Sequence, residues 1–98
     1  MARYVIKYSS QFRKQLKAAK KRGKDLGKLE RIVDLLASDT PLPEKCRDHA
    51  LTGNWVKHRE CHIEPDWLLI YYKQHDVLVL SLVATGSHSD LFKGNVRT

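Results

Sequence analysis

Between Trp55 and Val83 the chain gathers its apolar residues into three runs with almost nothing between them. Trp55 to Ile63 alternates roughly, Leu68 to Lys73 is a dense apolar stretch, and Val77 to Val83 is another. Pro65-Asp66 and Gln74-His75-Asp76 supply the turn chemistry that separates them. Parallel neighbours need a crossover of a dozen or more residues, so strands joined this tightly are mostly antiparallel. The second half of the chain therefore predicts a meander of three strands.

The first half follows a different period. Tyr4-Val5-Ile6-Lys7-Tyr8 is β-branched and aromatic and reads as one N-terminal strand. Ser9 or Ser10 can cap a helix whose apolar stripe is Phe12, Leu16 and Ala19, with Arg13, Lys14, Lys17, Lys20 and Lys21 on its other face. Gly23 breaks it. A second helix starts near Asp25, presents Leu26, Leu29, Val33 and Leu36, and stops before Pro41, because the residue ahead of a proline is pushed out of the helical region. The expected class is α+β: one N-terminal strand, an antiparallel helical hairpin and a three-stranded antiparallel meander, forming a single sheet with the helices on one face. Residues 1–98 are expected to make one domain, with no repeat or linker.

Charge defines the partners. A formal net charge of +7 in 98 residues suits an anionic surface: nucleic acid, an acidic protein or a membrane. No apolar run approaches the ~20 residues of a bilayer span, and no signal-peptide core is seen. Cys46 and Cys61 alone do not make a disulfide framework, and a reduced, cytoplasmic protein is expected.

All five histidines lie after residue 48. Imidazole can both take and give a proton near neutral pH, which suits acid–base work on a polyanion. Alternation along a strand puts His58, Glu60 and His62 on one face and Arg59, Cys61 and Ile63 on the other. His49 lies in the loop entering this strand, Asp66 at the following turn, and His88 in the loop leaving the last strand. Antiparallel pairing can gather them on one side of the sheet. Zinc fits poorly: Cys46-x-x-His49 and His58-x-x-Cys61 have suitable spacings, but His58 and Cys61 point to opposite faces, and His58 with His62 are too few ligands. No metal or cofactor is expected.

Three runs are more specific: Asp48-His49-Ala50-Leu51-Thr52-Gly53-Asn54-Trp55, Arg59-Glu60-Cys61-His62-Ile63-Glu64-Pro65-Asp66-Trp67 and Thr85-Gly86-Ser87-His88-Ser89-Asp90-Leu91-Phe92. Together with the strand–helix–helix start they resemble the YafQ branch of the RelE toxins over nearly the whole chain. The resemblance implies a RelE-like fold and the toxin of a type II toxin–antitoxin pair, a ribosome-dependent mRNA endonuclease that cuts in the A site of the 70S ribosome without a metal. The substrate's 2′-hydroxyl attacks the adjacent phosphate and expels the 5′-oxygen. His49, His62, Asp66 and His88 match the family's acid–base set; Trp67 matches a residue of the site, and Phe92 matches the aromatic residue that stacks on a base. The division of acid and base among the histidines stays open.

The resemblance also implies an acidic antitoxin partner, with operator DNA reached only through that complex. One departure stands out. Ala84 occupies the place where the family usually carries an arginine, whose guanidinium would hold the scissile phosphate, and so an attenuated enzyme is expected. Arg59 and Lys73 are the candidates to supply that charge, with Arg59 counted beside Trp67 and Phe92 among substrate-binding residues. The competing expectation is a non-catalytic ribosome-, RNA- or antitoxin-binding module.

Overall fold

The computed structural model describes residues 3–92, and a five-stranded sheet in the order β1-β5-β4-β3-β2 is its frame. β1 (Val5–Tyr8) lies at one edge and runs parallel to β5 (Val79–Gly86), from Val5 opposite Val79 to Tyr8 opposite Leu82. The expected meander follows as β3 (Arg59–Glu64), β4 (Trp67–Gln74) and β5, all antiparallel. The fifth strand, β2 (His49–Ala50), is two residues long and pairs with β3. His49 thus sits in a strand opposite Glu60 rather than in a loop.

α1 (Ser10–Lys21) and α2 (Leu26–Ala37) form where the apolar stripes place them. Ser9 Oγ accepts the Phe12 amide at 2.9 Å, and Asp25 Oδ1 accepts the Gly27 amide at 2.9 Å, so each helix has a side-chain cap. Phe12 and Ala19 from α1, and Leu29, Ile32, Val33, Leu36 and Ala37 from α2, are buried against Cys61, Trp67, Leu69, Tyr71, Leu80 and Leu82 of the sheet. Burial of a large apolar side chain contributes about 1.5–3 kcal/mol, so this layer supplies most of the stability.

The other sheet face carries a smaller cluster, Leu51, Ile70 and Ala84, with Trp55, Leu91 and Phe92 laid against it. Two bulges decide which side chains reach it. A register shift between Ile70 and Tyr71 leaves Val83 without a partner, and Ser9 Oγ donates to the freed Val83 carbonyl at 2.7 Å. A second shift, between His62 and Glu64, turns Glu64 toward the helices, where Lys24 and Lys28 donate to it at 2.9 and 3.0 Å and hold its carboxyl below the usual range.

Element ends differ from expectation for local reasons. Trp55 belongs to a 3₁₀ turn, Gly53–Trp55, and β3 begins only at Arg59. β5 begins at Val79, since Leu78 takes a positive φ of 52° in the turn before it. After β5 the chain makes one helical turn, α3 (His88–Leu91), where a plain loop was expected. Among the described residues no helix is long and apolar enough to cross a membrane.

Candidate active site

Pairing across the sheet builds the site. Glu60 on β3 stands opposite His49 of β2 and Ile70 of β4, and Ile70 in turn stands opposite Ala84 of β5. One step along, His62 stands opposite Leu68, which faces Gly86. Partners in a ladder share a face, so His49, Glu60 and His62 all look away from the helices.

The turns at the strand ends bring in the rest. Asp66, in the two-residue turn between β3 and β4, accepts from both the backbone N–H and Nδ1 of His88, each at 3.0 Å. These bonds, the backbone one first, hold the Asp66 carboxyl below its ordinary value. Ser87 and Asp90 close a capping box around α3, at 3.1 Å in both directions, and Asp90 also takes a bond at 3.2 Å from Arg22, which follows the end of α1. A Cβ on Gly86 would lie 3.1 Å from Asp90 Cβ, so glycine lets α3 fold tightly back on the strand end. The rings of His62 and His88 come within 5.7 Å.

All three histidines are oriented alike. Nδ1 of His49 meets the Arg47 carbonyl at 2.7 Å, Nδ1 of His62 meets the Pro65 carbonyl at 3.1 Å, and Nδ1 of His88 meets Asp66. A carbonyl or carboxylate oxygen only accepts, so each Nδ1 carries a hydrogen and each Nε2 is left free for chemistry. Nε2 of His49 and Nε2 of His62 both lie 3.6 Å from Glu60 Oε2. The Glu60 side chain is 1% exposed and forms the floor between the rings.

Four expected residues, His49, His62, Asp66 and His88, are therefore gathered on one side. Phe92 is half-buried beside them, its ring 6.4 Å from that of His88 and 6.2 Å from Trp55. Two others lie apart from them. Arg59 faces the helix side, where Nε donates to Asp48 at 3.2 Å next to the Tyr71 hydroxyl, which bonds the same carboxylate. Trp67 is 2% exposed on that same side, donating Nε1–H to Thr85 Oγ1 at 3.0 Å beneath the Lys24 ammonium. Both side chains therefore lie on the sheet face opposite His49 and His62. Lys73 is likewise committed, to Asp39 at 2.6 Å. Ala84 is fully buried on the site face.

Glu60 is the residue that motif reading passed over. Its parity with His58 and His62 was visible, but its burial depends on β2, a strand too short to leave a periodic signal. Cys46 and Cys61 are buried free thiols, and burial pushes both up in pKa. Cys61 sits in the helix-side core, away from the histidines.

The site continues into a basic surface. Arg13, Lys14, Lys17, Lys20, Lys21 and Arg22 are exposed along α1. Arg22 and Lys24 border a cleft of about 250 Å³ that reaches Asp66, Gly86 and Ser87.

Known proteins are similar to this chain in sequence and fold. The chain is 48% identical over 88 residues to the mRNA interferase toxin YafQ of Escherichia coli (strain K12), covering 89% of this chain and 94% of that one. The E. coli DinJ–YafQ toxin–antitoxin complex contains a chain that superposes with a TM-score of 0.84 at 42% identity, covering 92% of this chain and 98% of that one. A metal-bound toxin from Helicobacter pylori superposes with a TM-score of 0.86 at 44% identity, covering 91% and 99%. Residues 4–93 match the family described as "Bacterial toxin of type II toxin-antitoxin system, YafQ", and this chain belongs to that family.

Proposed function

We propose that this toxin is an endoribonuclease that cuts mRNA in the ribosomal A site, with His49, His62, Asp66 and His88 as its acid–base set. The observation that carries the reading is the common orientation of the three imidazoles, each with Nδ1 tied to an acceptor and Nε2 free. RNA cleavage by its own 2′-hydroxyl needs only such groups. A neutral Nε2 takes the hydroxyl proton as the 2′-oxygen attacks phosphorus. The P–O5′ bond breaks, and a protonated Nε2 on a second ring gives its proton to the leaving oxygen. The products are a 2′,3′-cyclic phosphate and a 5′-hydroxyl, and the two rings have exchanged protonation states. Glu60 stands where its charge balances whichever neighbouring ring is protonated, and Asp66 fixes His88 as a positioned donor.

The basic face of α1 supplies affinity for ribosomal RNA without reading sequence. Phe92, next to His88 and Trp55, offers an aromatic surface on which a displaced base can stack. An acidic antitoxin is the natural partner for a chain of this charge, acting in the cytoplasm, with operator DNA contacted through the complex. Ala84 supports the attenuated form: it lies in the same cross-strand row as Glu60, where a guanidinium would face the developing phosphate charge. It equally supports a second reading, a ribosome-binding module that does not cut.

Cleavage of mRNA on programmed ribosomes, with free protein and with His62→Gln, separates these. The nuclease reading expects specific cuts with 2′,3′-cyclic ends and a loss of about 10²–10⁴-fold in the variant. Binding without cutting, even after Ala84→Arg, would leave only the module.

A further inference from the structure

His58 lies on the same side of the sheet as Glu60 and His62, yet the proton-transfer scheme does not use it. Its ring belongs to a row instead. The centroids of His88 and Phe92 are 6.4 Å apart, those of Phe92 and Trp55 6.2 Å, those of Trp55 and His58 5.4 Å, and those of His58 and Tyr72 5.5 Å. Phe92, Trp55, His58 and Tyr72 are all half-buried, on the face that α1 and α2 leave open. Trp55 and Phe92 rest on Leu51, Ile70 and Ala84, so packing accounts for them. Tyr72 belongs to neither core cluster. The backbone between Trp55 and His58 is strained as well. The His58 N–H donates to the Trp55 carbonyl at 2.9 Å, with Val56 at φ −55° and ψ 143° and Lys57 at φ 75°. These are the angles of a type II turn, whose third residue is ordinarily glycine. Lysine in that place sets an exposed cation beside the rings, at the mouth of a cleft of about 520 Å³. Strain that persists in a surface turn points to a site.

We propose that Trp55, His58 and Tyr72 form a base-stacking platform for single-stranded RNA, holding a nucleotide beyond the one at Phe92, with Lys57 at its phosphate. Every base has a face that stacks on an aromatic ring, and a cation alongside tracks the backbone, so such a platform adds affinity without reading sequence. The planes of His58 and Tyr72 are inclined by 33°, so the two rings turn nearly the same way. Trp55 meets His58 at 85° and stands as a wall at one end. Nδ1 of His58 meets the Val56 carbonyl at 3.2 Å, which fixes the direction of that ring. The surface is continuous with Phe92 and His88, and a net charge of +7 suits a polyanion, so RNA rather than a peptide is its occupant. The platform breaks no bond. It holds the strand in line with the histidines.

The strand's being a substrate rests on the nuclease reading; the stacking does not, and the two are tested separately. Fluorescence anisotropy of 2′-O-methyl RNA, which carries no hydroxyl to attack, measures binding to the full chain at low salt without cutting. A hexanucleotide should bind more tightly than a dinucleotide. Tyr72→Leu keeps an apolar side chain but no ring face, and should weaken the hexanucleotide about 5–150-fold, the effect of losing one stacked base. Tyr72→Phe should bind like the unaltered chain. Lys57→Gly, which relieves the positive φ, should lower the slope of log affinity against log salt by about one without lowering the melting temperature. Tyr8→Leu, on the helix side beside Phe12, should change nothing. Circular dichroism of each variant establishes folding. A hexanucleotide bound equally well by Tyr72→Leu, or not bound at all, overturns the platform and leaves this face to a protein partner. In the second arm, on programmed ribosomes, Tyr72→Leu should raise KM by a similar factor with kcat in place. A fall in kcat at unchanged KM overturns the platform. A chain that binds in this pattern and never cuts overturns the nuclease reading alone.

Discussion

One oxygen of Asp66 holds both the backbone N–H and the Nδ1 of His88 at 3.0 Å, so a single carboxylate fixes the start of α3 and the direction of its imidazole. The two residues are 22 apart in sequence, and the bond ties the β3–β4 turn to the end of β5.

That bond has a pH signature. Asp66 has a lowered folded pKa, so the contribution is present above the ordinary aspartate value of about 3.9 and is lost as pH falls below it toward the folded value. The melting temperature of Asp66→Asn should lie below that of the unaltered chain at pH 7, and the gap should shrink as the buffer is taken below pH ~4. A gap that stays constant down to pH 3 would mean the carboxylate is not what holds α3.

Ala84→Arg is the direct test of attenuation. Restoring one preorganised donor at the phosphate should raise cleavage on the order of 10²–10³-fold. The position is fully buried under Phe92 and Trp55, so the larger side chain must push these rings aside, at a cost of about 1–3 kcal/mol in denaturant unfolding. Lower stability with no gain in cutting would end the attenuation idea.

Trp67 should behave as a brace. Trp67→Phe removes the Nε1–H bond to Thr85 Oγ1 but keeps most of the ring volume, and about 1 kcal/mol of stability should go with it. Cleavage per folded molecule should not change. A substantial rise in KM with unaltered stability would return the indole to the substrate.

The basic face of α1 is a separable contribution. Lys14, Lys17, Lys20 and Lys21 are all exposed, and changing them together to glutamate should weaken ribosome association and flatten its dependence on salt. An unaltered slope of log affinity against log salt would make them solubilising charge only.

Much of this is legible in the sequence alone. Short turns forced the meander, apolar spacing placed Phe12 and Leu36, and strand parity put Glu60 with His62 and Arg59 opposite. Arg59 shows how two signals can conflict. The missing cation at Ala84 draws it toward the phosphate, while parity sends it to the helix side, where Asp48 holds it. Other features were beyond local reading. A two-residue strand has no period, so β2 and the burial it imposes on Glu60 left no trace. One helical turn has none either, although Ser87-x-x-Asp90 was a capping box in plain sight. The face that Trp67 takes was not legible, because strand register, set by distant pairing, decides which face a large ring occupies.

The parallel pairing of β1 with β5 has a consequence for how the molecule comes into being. The fourth strand to be synthesised waits beside a slot that only β5 fills, between β4 and the strand made first. A nascent chain that has emerged through Gln74 has a divided sheet, an unpaired β1 and neither Ala84 nor His88. Assembly of the histidine face is therefore a late event in synthesis, closed by the long-range pairing of β1 with β5.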